Sequence, residues 1–175
     1  TITPTSVFQV PYSLNLPDAG GPITDFHEHD GEALTATGIL AESSNTGTVL
    51  IGQTMADDQR YSMMRAFGFG QETGIELPGE SAGLLRSSDD WQGRDRYVTM
   101  FGQAYAITAV QEASALATIA NGGERVSAHI VKKVEDSRNK LLFSGDVDPV
   151  RVFDVEEVSS IMPALEAVTK GDGTA

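Results

Sequence analysis

The chain has 175 residues, of which 40% are hydrophobic and 21% charged, a composition typical of one soluble globular domain. Its formal net charge of −13 argues against binding to nucleic acid or to an anionic membrane, because both need a basic surface. The absence of cysteine excludes disulfides, thiol catalysis and cysteine-ligated zinc. No run approaches the roughly 18 consecutive apolar residues of a membrane span, so we expect any membrane anchor to precede this chain in a longer parent.

The first part of the chain changes from an irregular to a helical pattern. Residues 1–32 are rich in Pro, Gly, Asp and His, which predicts an extended or looping region. Residues 33–123 are predicted to be a helical region, whose first pattern is interrupted by Ser43-Ser44-Asn45. Ser and Asn compete for backbone hydrogen bonds and therefore favour caps and turns. We predict a helix from Ala33 to Glu42, a Ser-Ser-Asn turn, and a second helix with Asn45 as its N-cap.

Two more helices are predicted in the helical region. One begins at the Asp57-Asp58 pair and ends before Gly68. The other begins at Thr108, where Gln111 three residues later completes a capping box. The pair Gly122-Gly123 ends this helix, since glycine readily adopts the left-handed conformation of a C-cap.

The remaining segments are predicted to contain loops, a hairpin and one helix. Residues 68–96 are rich in glycine and acidic side chains, which predicts a loop that includes a short hairpin. Residues 124–175 are predicted to form a β-hairpin with its tip at Asp136–Asn139, followed by a helix from Asp154. Pro163 falls inside that helix and costs about 3 kcal/mol in a regular one, so we expect a kink or a break. The fold class is therefore α+β, with more helix than strand.

The densest group of metal-ligand residue types is Asp25-Phe-His-Glu-His-Asp30. Its two histidines are separated by one residue, and such side chains point the same way only on a strand. A zinc site would need a third ligand, and the remaining histidine, His129, lies far along the chain. We favour a solvated loop over a metal site, and we predict neither a metal nor a cofactor.

Two further motifs are better explained as turns than as sites. Ser137-Arg-Asn-Lys140 has the Ser-x-x-Lys spacing that places a nucleophilic serine beside its lysine base on one helical turn. Here the motif falls at the tip of the predicted hairpin, so we do not assign a nucleophile to it. Phe67-Gly-Phe-Gly70 lacks the spacing of phosphate-binding loops, and its glycines are those of tight turns.

The remaining candidate is Ser43-x-Asn45, which alone is no more than a plausible helix cap. Its neighbours change that interpretation, since their order and spacing over residues 22–125 resemble class B penicillin-binding proteins, the D,D-transpeptidases of peptidoglycan. The resembling segments are Leu34–Leu40, Phe67–Gly70, Thr73–Glu80, Trp91, Phe101–Gln103, Thr108, Gln111 and Ile119–Gly123. The resemblance implies a transpeptidase-like α+β fold, of which this chain holds a helix-rich part with a few antiparallel strands of an incomplete sheet.

The resemblance also implies roles for individual residues. In that family three motifs meet in one cleft, where the serine of Ser-x-x-Lys attacks the D-Ala-D-Ala carbonyl of a stem peptide. Ser43 would hand a proton to the departing D-Ala amine, because an amine leaves poorly unless it is protonated. Asn45 would donate an amide hydrogen bond to the substrate backbone, while Ser44 points elsewhere. Gln103 is carried over as a cleft residue, although Ala104 stands where the family usually has a second glycine.

The other two motifs of the family are not found at the expected places. No Ser-x-x-Lys precedes Ser43, and Lys170-Gly-Asp-Gly173 is not the Lys-Thr/Ser-Gly strand that binds the substrate carboxylate. We therefore expect a fragment that forms no acyl-enzyme alone. The complete domain is expected to bind stem peptides and β-lactams and to act with other cell-wall synthesis and division proteins. Its expected location is the extracytoplasmic face of the bacterial membrane, anchored through an N-terminal part not present here.

Two other hypotheses stay open on the sequence. The chain could be a non-catalytic structural or partner-binding module of the division or elongation machinery, in which case the parent would lack both missing motifs. It could also be a serine β-lactamase or a sensor domain, which the resemblance of Thr73–Glu80 to the synthases disfavours. An incomplete sheet would leave an open edge, which predicts self-association of the fragment.

Overall fold

Four short strands are followed by five α-helices, four further strands and a last helix in a computed structural model that describes residues 1–145, 149–170 and 173–174. The helices of these residues are α1 (Ala36–Ala41), α2 (Asn45–Gly52), α3 (Asp57–Ala66), α4 (Asp95–Val98), α5 (Ala109–Ala120) and α6 (Val155–Ala167). The strands are β1 (Val7–Val10), β2 (Ser13–Leu14), β3 (Ile23–Thr24), β4 (Glu32–Thr35), β5 (Glu124–Arg125), β6 (Lys133–Glu135), β7 (Leu141–Ser144) and β8 (Val150–Arg151). The predicted α+β class with more helix than strand is confirmed.

The strands pair antiparallel in small two-stranded sheets. β1 pairs with β4, from Val7 opposite Thr35 to Val10 opposite Glu32. The other pairs within the described residues are β2 with β3, β5 with β8, and β6 with β7. The chain divides into two compact units, of which the first comprises residues 1–61, 86–105 and 156–175, and the second residues 62–85 and 106–155.

The first unit carries the Ser-Ser-Asn triplet and a hydrophobic core beneath it. The buried members of that core are Ala19, Ile23, Val49, Tyr97 and Val98. Val49 lies on α2 and is fully buried, and Ile23 belongs to β3. Burying side chains of this size contributes about 1.5–3 kcal/mol each, so α2 and β3 are fixed to a common core.

The second unit is organised around helix α5. Its capping box is confirmed, since the Thr108 hydroxyl accepts from the Gln111 backbone N–H at 3.2 Å and the Gln111 side-chain oxygen accepts from the Thr108 N–H at 2.8 Å. The helix is followed by Gly122 and Gly123, with φ of +65° and +88°. The predicted start and end of this helix are therefore both confirmed.

The hairpin formed by β6 and β7 confirms the interpretation of Ser137-x-x-Lys140 as a turn. The Asp136 carboxylate accepts hydrogen bonds from the backbone N–H groups of Arg138 at 2.8 Å and Lys140 at 2.9 Å. Asn139 takes a left-handed φ of +60° at the tip. Ser137 and Lys140 therefore belong to a tight turn and do not share a helical turn.

The predicted helix start at Ala33 is wrong. Residues Glu32–Thr35 pair with β1 as strand β4, and α1 begins only at Ala36. The Thr35 hydroxyl caps α1 by accepting from the Gly38 N–H at 3.0 Å. Pairing with a strand far away in sequence has overridden the local helical pattern.

Two further expectations are corrected by the structure. Residues 68–96 contain no hairpin; Leu84 instead forms an isolated antiparallel bridge with Ala106. Of the kink or break expected at Pro163, the break does not occur, since helix α6 runs through the proline. Hydrophobic burial of Val158 and Ala164, on either side of the proline, holds the helix to the rest of the fold.

The C-terminal sequence Lys170-Gly-Asp-Gly173 is only partly described, because Gly171 and Asp172 lie outside the described residues. Among the helices of the described ranges, none combines the length and the apolar character needed to cross a bilayer.

Candidate functional site

The Ser43-Ser44-Asn45 triplet, called the Ser-x-Asn turn below, joins helices α1 and α2. The Ser43 N–H donates to the Leu40 carbonyl at 3.2 Å, and the Ser44 N–H donates to the Ile39 carbonyl at 3.0 Å. This pair of bonds is the Schellman arrangement, in which the residue after the C-cap is left-handed and is usually glycine. Ser43 occupies that place with φ of +57°. A serine there is strained by about 1 kcal/mol, which points to a use for its side chain.

The N-cap of α2 is Ser44, so the prediction that Asn45 caps the helix is wrong. Ser44 has the extended backbone of a cap, and its hydroxyl accepts from the Gly47 N–H at 2.9 Å. Asn45 is already the first helical residue. The Ser44 side chain is buried, in agreement with the expectation that the middle residue of the turn points elsewhere.

The side chains of Ser43 and Asn45 have different surroundings. Ser43 is exposed, and its hydroxyl makes no hydrogen bond to any other residue that the structure describes. Asn45 is half-buried and donates from Nδ2 to the Thr24 carbonyl oxygen at 3.0 Å. An amide has two N–H groups and one acceptor oxygen, so one N–H and the oxygen of Asn45 remain for another group. The turn thus offers a free hydroxyl beside a partly committed amide.

The Asp25 carboxylate receives the hydrogen-bond donors at the start of α2. Oδ2 accepts from the Ser44 hydroxyl at 2.8 Å, and Oδ1 accepts from the Thr46 N–H at 2.9 Å. The Thr46 hydroxyl lies 3.1 Å from Oδ2, but it has one proton and the Pro11 carbonyl is nearer, at 2.7 Å. His29 Nε2 lies 3.2 Å from the same Oδ2. This role of Asp25 has no local signal in the sequence, because Asp25 precedes Ser44 by 19 residues.

The environment of Asp25 keeps its carboxyl ionised. Burial alone acts to raise its pKa, but the hydrogen bonds from Thr46, Ser44 and His29 together outweigh burial, so the pKa lies below its ordinary value of 3.8. Its side chain is only 9% exposed. The positive end of the α2 dipole favours the same charge state.

The stability contributed by Asp25 is expected to depend on pH. Because the pKa of Asp25 is lower in the folded state than in the unfolded state, its stabilisation is complete above about pH 4 and is lost as the pH falls through the folded-state value. Thermal unfolding of the complete domain and of its Asp25→Asn variant from pH 7 to pH 3 checks this. We expect the difference in Tm to narrow below about pH 4. A difference in Tm that stays constant from pH 7 to pH 3 would contradict the lowered pKa of Asp25.

The segment around Asp25 was also the candidate metal site. His29 is turned toward Asp25, whereas His27 is exposed and stacks edgewise on Phe26. Across the part of the chain that the structure describes, no group of three or more His, Asp or Glu side chains is arranged to hold a metal ion.

Gln103 and Ala104 follow the short 3-10 turn after α4. Gln103 is exposed and its backbone N–H donates to the Val98 carbonyl at 3.0 Å. Within the described ranges no hydrogen bond joins it to Ser43 or Asn45. Ala104 has φ of +61°, so the backbone keeps here the left-handed conformation that a glycine would adopt without strain. Ala104, which stands where the resemblance predicts a second glycine, therefore adopts a left-handed backbone that a glycine could also adopt.

Gly47 allows the close contact between α1 and α2 that supports the turn. A Cβ at this position would lie 2.7 Å from Ile39 Cγ1 and 2.9 Å from the Ser44 hydroxyl oxygen. Ile39 is buried in the core and has little room to move. We therefore expect Gly47→Ala to lower the free energy of unfolding by about 1–3 kcal/mol, measured by urea denaturation.

Gly38, on helix α1, provides a matched control for Gly47. A Cβ at Gly38 would have its nearest neighbour at 3.4 Å, an ordinary van der Waals distance. Gly38→Ala is expected to leave stability unchanged or to raise it by up to about 1 kcal/mol, since alanine favours helix over glycine. An equal loss of unfolding free energy in Gly47→Ala and Gly38→Ala would show that the close contact at Gly47 does not cause the loss.

Comparison with known proteins identifies the family. The sequence profile described as the penicillin binding protein transpeptidase domain matches residues 2–175. The chain belongs to this family. The penicillin-binding resemblance inferred from the segments around the Ser-x-Asn turn is therefore confirmed.

Relatives within the transpeptidase family cover nearly all of this chain. Penicillin-binding protein PbpB of Mycobacterium tuberculosis is 34% identical over 170 residues, which are 97% of this chain and 25% of that protein. Peptidoglycan D,D-transpeptidase FtsI of Escherichia coli K12 is 32% identical over 168 residues, 94% of this chain and 25% of that protein. The chain thus spans about a quarter of the length of these curated relatives.

Solved transpeptidase structures have the same fold as this chain. Penicillin binding protein 3 of Mycobacterium tuberculosis, complexed with aztreonam, superposes with a TM-score of 0.90 at 33% identity, over 97% of this chain and 38% of that one. A peptidoglycan synthetase of Bifidobacterium adolescentis gives a TM-score of 0.86 at 35% identity, over 94% of this chain and 30% of that one. The expected transpeptidase-like fold is confirmed.

Proposed function

We propose that this chain is part of a peptidoglycan D,D-transpeptidase that cross-links stem peptides through a serine acyl-enzyme, with the nucleophile supplied from outside residues 1–175. The observation that carries the proposal is the Ser-x-Asn turn itself. Its first serine is exposed in a strained, left-handed conformation with a hydroxyl that no other described residue binds, and its asparagine keeps one N–H and its oxygen without a partner among the described residues. Membership of the transpeptidase family and the names of the relatives support the same activity.

In this proposal Ser43 passes a proton to the D-Ala amine that leaves as the acyl-enzyme forms. The oxygen of the nucleophilic serine forms a bond to the carbonyl carbon and gives up its hydroxyl proton, the bond between that carbon and the amine nitrogen breaks, and the nitrogen takes up a proton at that moment. A hydroxyl without a hydrogen-bond partner among the described residues is suited to this relay, since it can accept the proton released by the nucleophile and donate its own to the amine. Asn45 holds the substrate backbone through its remaining amide groups. Gln103 is proposed to line the same cleft.

The binding partners and the location of the complete protein are also proposals. A related structure is a complex with aztreonam and another a complex with ampicillin, which supports β-lactam binding by the complete domain. We further propose action at the extracytoplasmic face of the membrane, with an anchor before residue 1 and contacts to other cell-wall synthesis and division proteins. The three sequence segments 1–32, 33–123 and 124–175 are proposed to belong to one transpeptidase domain.

Labelling with a fluorescent penicillin tests the proposed function. The complete domain containing this chain is expected to become covalently labelled, because it supplies the nucleophile. The 175-residue chain alone is expected to stay unlabelled, since its single Ser-x-x-Lys sequence lies in the hairpin turn of Ser137 and Lys140. Boiled protein controls for non-specific reaction. A complete domain without label would favour the alternative of a non-catalytic module, and a labelled fragment would contradict the predicted inactivity.

A further inference from the structure

We propose that Asp25 is a positioning residue for the Ser-x-Asn turn, which it holds in the conformation that presents Ser43 and Asn45 to the substrate. The proposal rests on the transpeptidase function proposed above. Asp25 makes no hydrogen bond to Ser43 or Asn45. It acts instead through Ser44, which lies between them, and through Thr46, which follows Asn45. It is therefore distinct from the residues that contact substrate.

Hydrogen-bond donors converge on the Asp25 carboxylate. The Ser44 hydroxyl reaches Oδ2 at 2.8 Å and the Thr46 N–H reaches Oδ1 at 2.9 Å, so one oxygen binds the middle residue of the turn and the other binds the residue that follows the turn. Ser44 is 5% exposed and Thr46 is 0% exposed, so neither donor faces bulk water. Hydrogen bonds to an ionised acceptor are about twice as strong as neutral ones. The turn is thus fixed from its buried side while its other side stays free.

Thr24, the residue before Asp25, holds the Asn45 side chain. Thr24, at the end of β3, accepts the Asn45 Nδ2 hydrogen bond through its carbonyl oxygen at 3.0 Å. The consecutive residues Thr24 and Asp25 therefore bind one N–H of the Asn45 amide and the backbone N–H of Thr46 at the start of α2. Because β3 and α2 share the hydrophobic core through Ile23 and Val49, the arrangement is fixed to the fold.

The ring of His29 is oriented by hydrogen bonds at both of its nitrogens. The Gly31 N–H donates to His29 Nδ1 at 3.1 Å, so Nδ1 is the acceptor and the ring proton lies on Nε2. Nε2 then donates to Asp25 Oδ2, at 3.2 Å. His29 thus acts as a further donor that helps to orient the carboxylate. An asparagine at position 25 could not accept at both of its terminal atoms.

The test compares variants of the complete transpeptidase domain in acylation by a fluorescent penicillin. The first-order acylation constant and the dissociation constant are obtained separately from the dependence of rate on penicillin concentration. We expect Asp25→Asn to lower the acylation constant by at least about tenfold, since a small misplacement of catalytic groups costs this much or more. The dissociation constant is expected to change by less than about threefold. Loss of stability alone would not lower the acylation constant while leaving the dissociation constant nearly unchanged.

Two further variants make the test specific. Asp30→Asn removes an exposed carboxylate from the same segment and is expected to leave both constants unchanged. Ser44→Ala is expected to lower the acylation constant as well, and the double variant Asp25→Asn/Ser44→Ala to lose less than the product of the two single losses, because both changes break the hydrogen bond between Ser44 and Asp25. If Asp25→Asn does not fold, Ser44→Ala carries the test.

The outcomes separate this inference from the proposed function. An unlabelled wild-type domain would contradict the transpeptidase function and the positioning role with it. A labelled wild-type domain with an unchanged acylation constant in folded Asp25→Asn, or in Ser44→Ala, would overturn the positioning role and leave the function standing. Strictly additive effects of the two changes would also overturn it.

Discussion

Replacing Ser43 by alanine in the complete domain is expected to slow the release of D-Ala from a stem pentapeptide by about 10²–10⁴-fold, the range typical of losing a positioned proton-transfer group. The physical reason is that the leaving amine would lose its proton donor. The fold should be little affected, because Ser43 is exposed and alanine has the same difficulty as serine with φ of +57°.

A glycine at position 43 separates the catalytic from the structural role of this residue. Ser43→Gly relieves the left-handed strain and is expected to raise the free energy of unfolding by about 1 kcal/mol, while the activity falls as in Ser43→Ala. D-Ala release is measured by a coupled assay and stability by thermal unfolding. Ser62→Ala, at an exposed serine on α3, is the matched control. Release by Ser43→Ala within threefold of wild type would contradict the relay role.

Replacing Gln111 by leucine is expected to lower the free energy of unfolding by about 3 kcal/mol or more, since each buried polar group left without a partner costs about 1–3 kcal/mol. Gln111 is 1% exposed. Its Nε2 donates to the carbonyl oxygens of Gln71 at 2.7 Å and Ala82 at 2.9 Å, and its Oε1 accepts from the Thr108 N–H. Leucine fills a similar volume but satisfies none of these groups.

Urea denaturation of the complete domain measures this loss, with Gln92→Leu as control. Gln92 is exposed, so the same substitution there is expected to change stability by less than about 0.5 kcal/mol. A loss of less than 1 kcal/mol in Gln111→Leu would show that water or other groups replace the amide. The result bears on the fold of the second unit and is independent of the chemistry of the Ser-x-Asn turn.

Features of the fold that depend on near neighbours in sequence were predictable. The capping box of Thr108 and Gln111 and the hairpin turn at Asp136 are both set by residues within four positions. The strand Glu32–Thr35 was mistaken for helix because its partner Val7–Val10 lies about 25 residues away. The continuity of α6 at Pro163 likewise depends on packing, which no local pattern reveals.

Of the candidate site, only the Ser-x-Asn motif was predictable from the sequence. Ser43 and Asn45 could be named from the order of their neighbours along the chain, but the N-cap was assigned to Asn45 because both residue types favour that position. The structure gives it to Ser44, whose hydroxyl is buried against Asp25. Asp25 itself could not be found from sequence, because its contacts arise only when β3 meets the start of α2.

Identification of the acylated residue tests the central claim that this chain supplies the proton relay and the substrate contact but not the nucleophile. The complete domain is reacted with penicillin, digested, and the penicilloyl peptide is sequenced by mass spectrometry. We expect one adduct, on the serine of a Ser-x-x-Lys sequence outside residues 1–175. An adduct on Ser43, or on any other residue of this chain, would contradict the account.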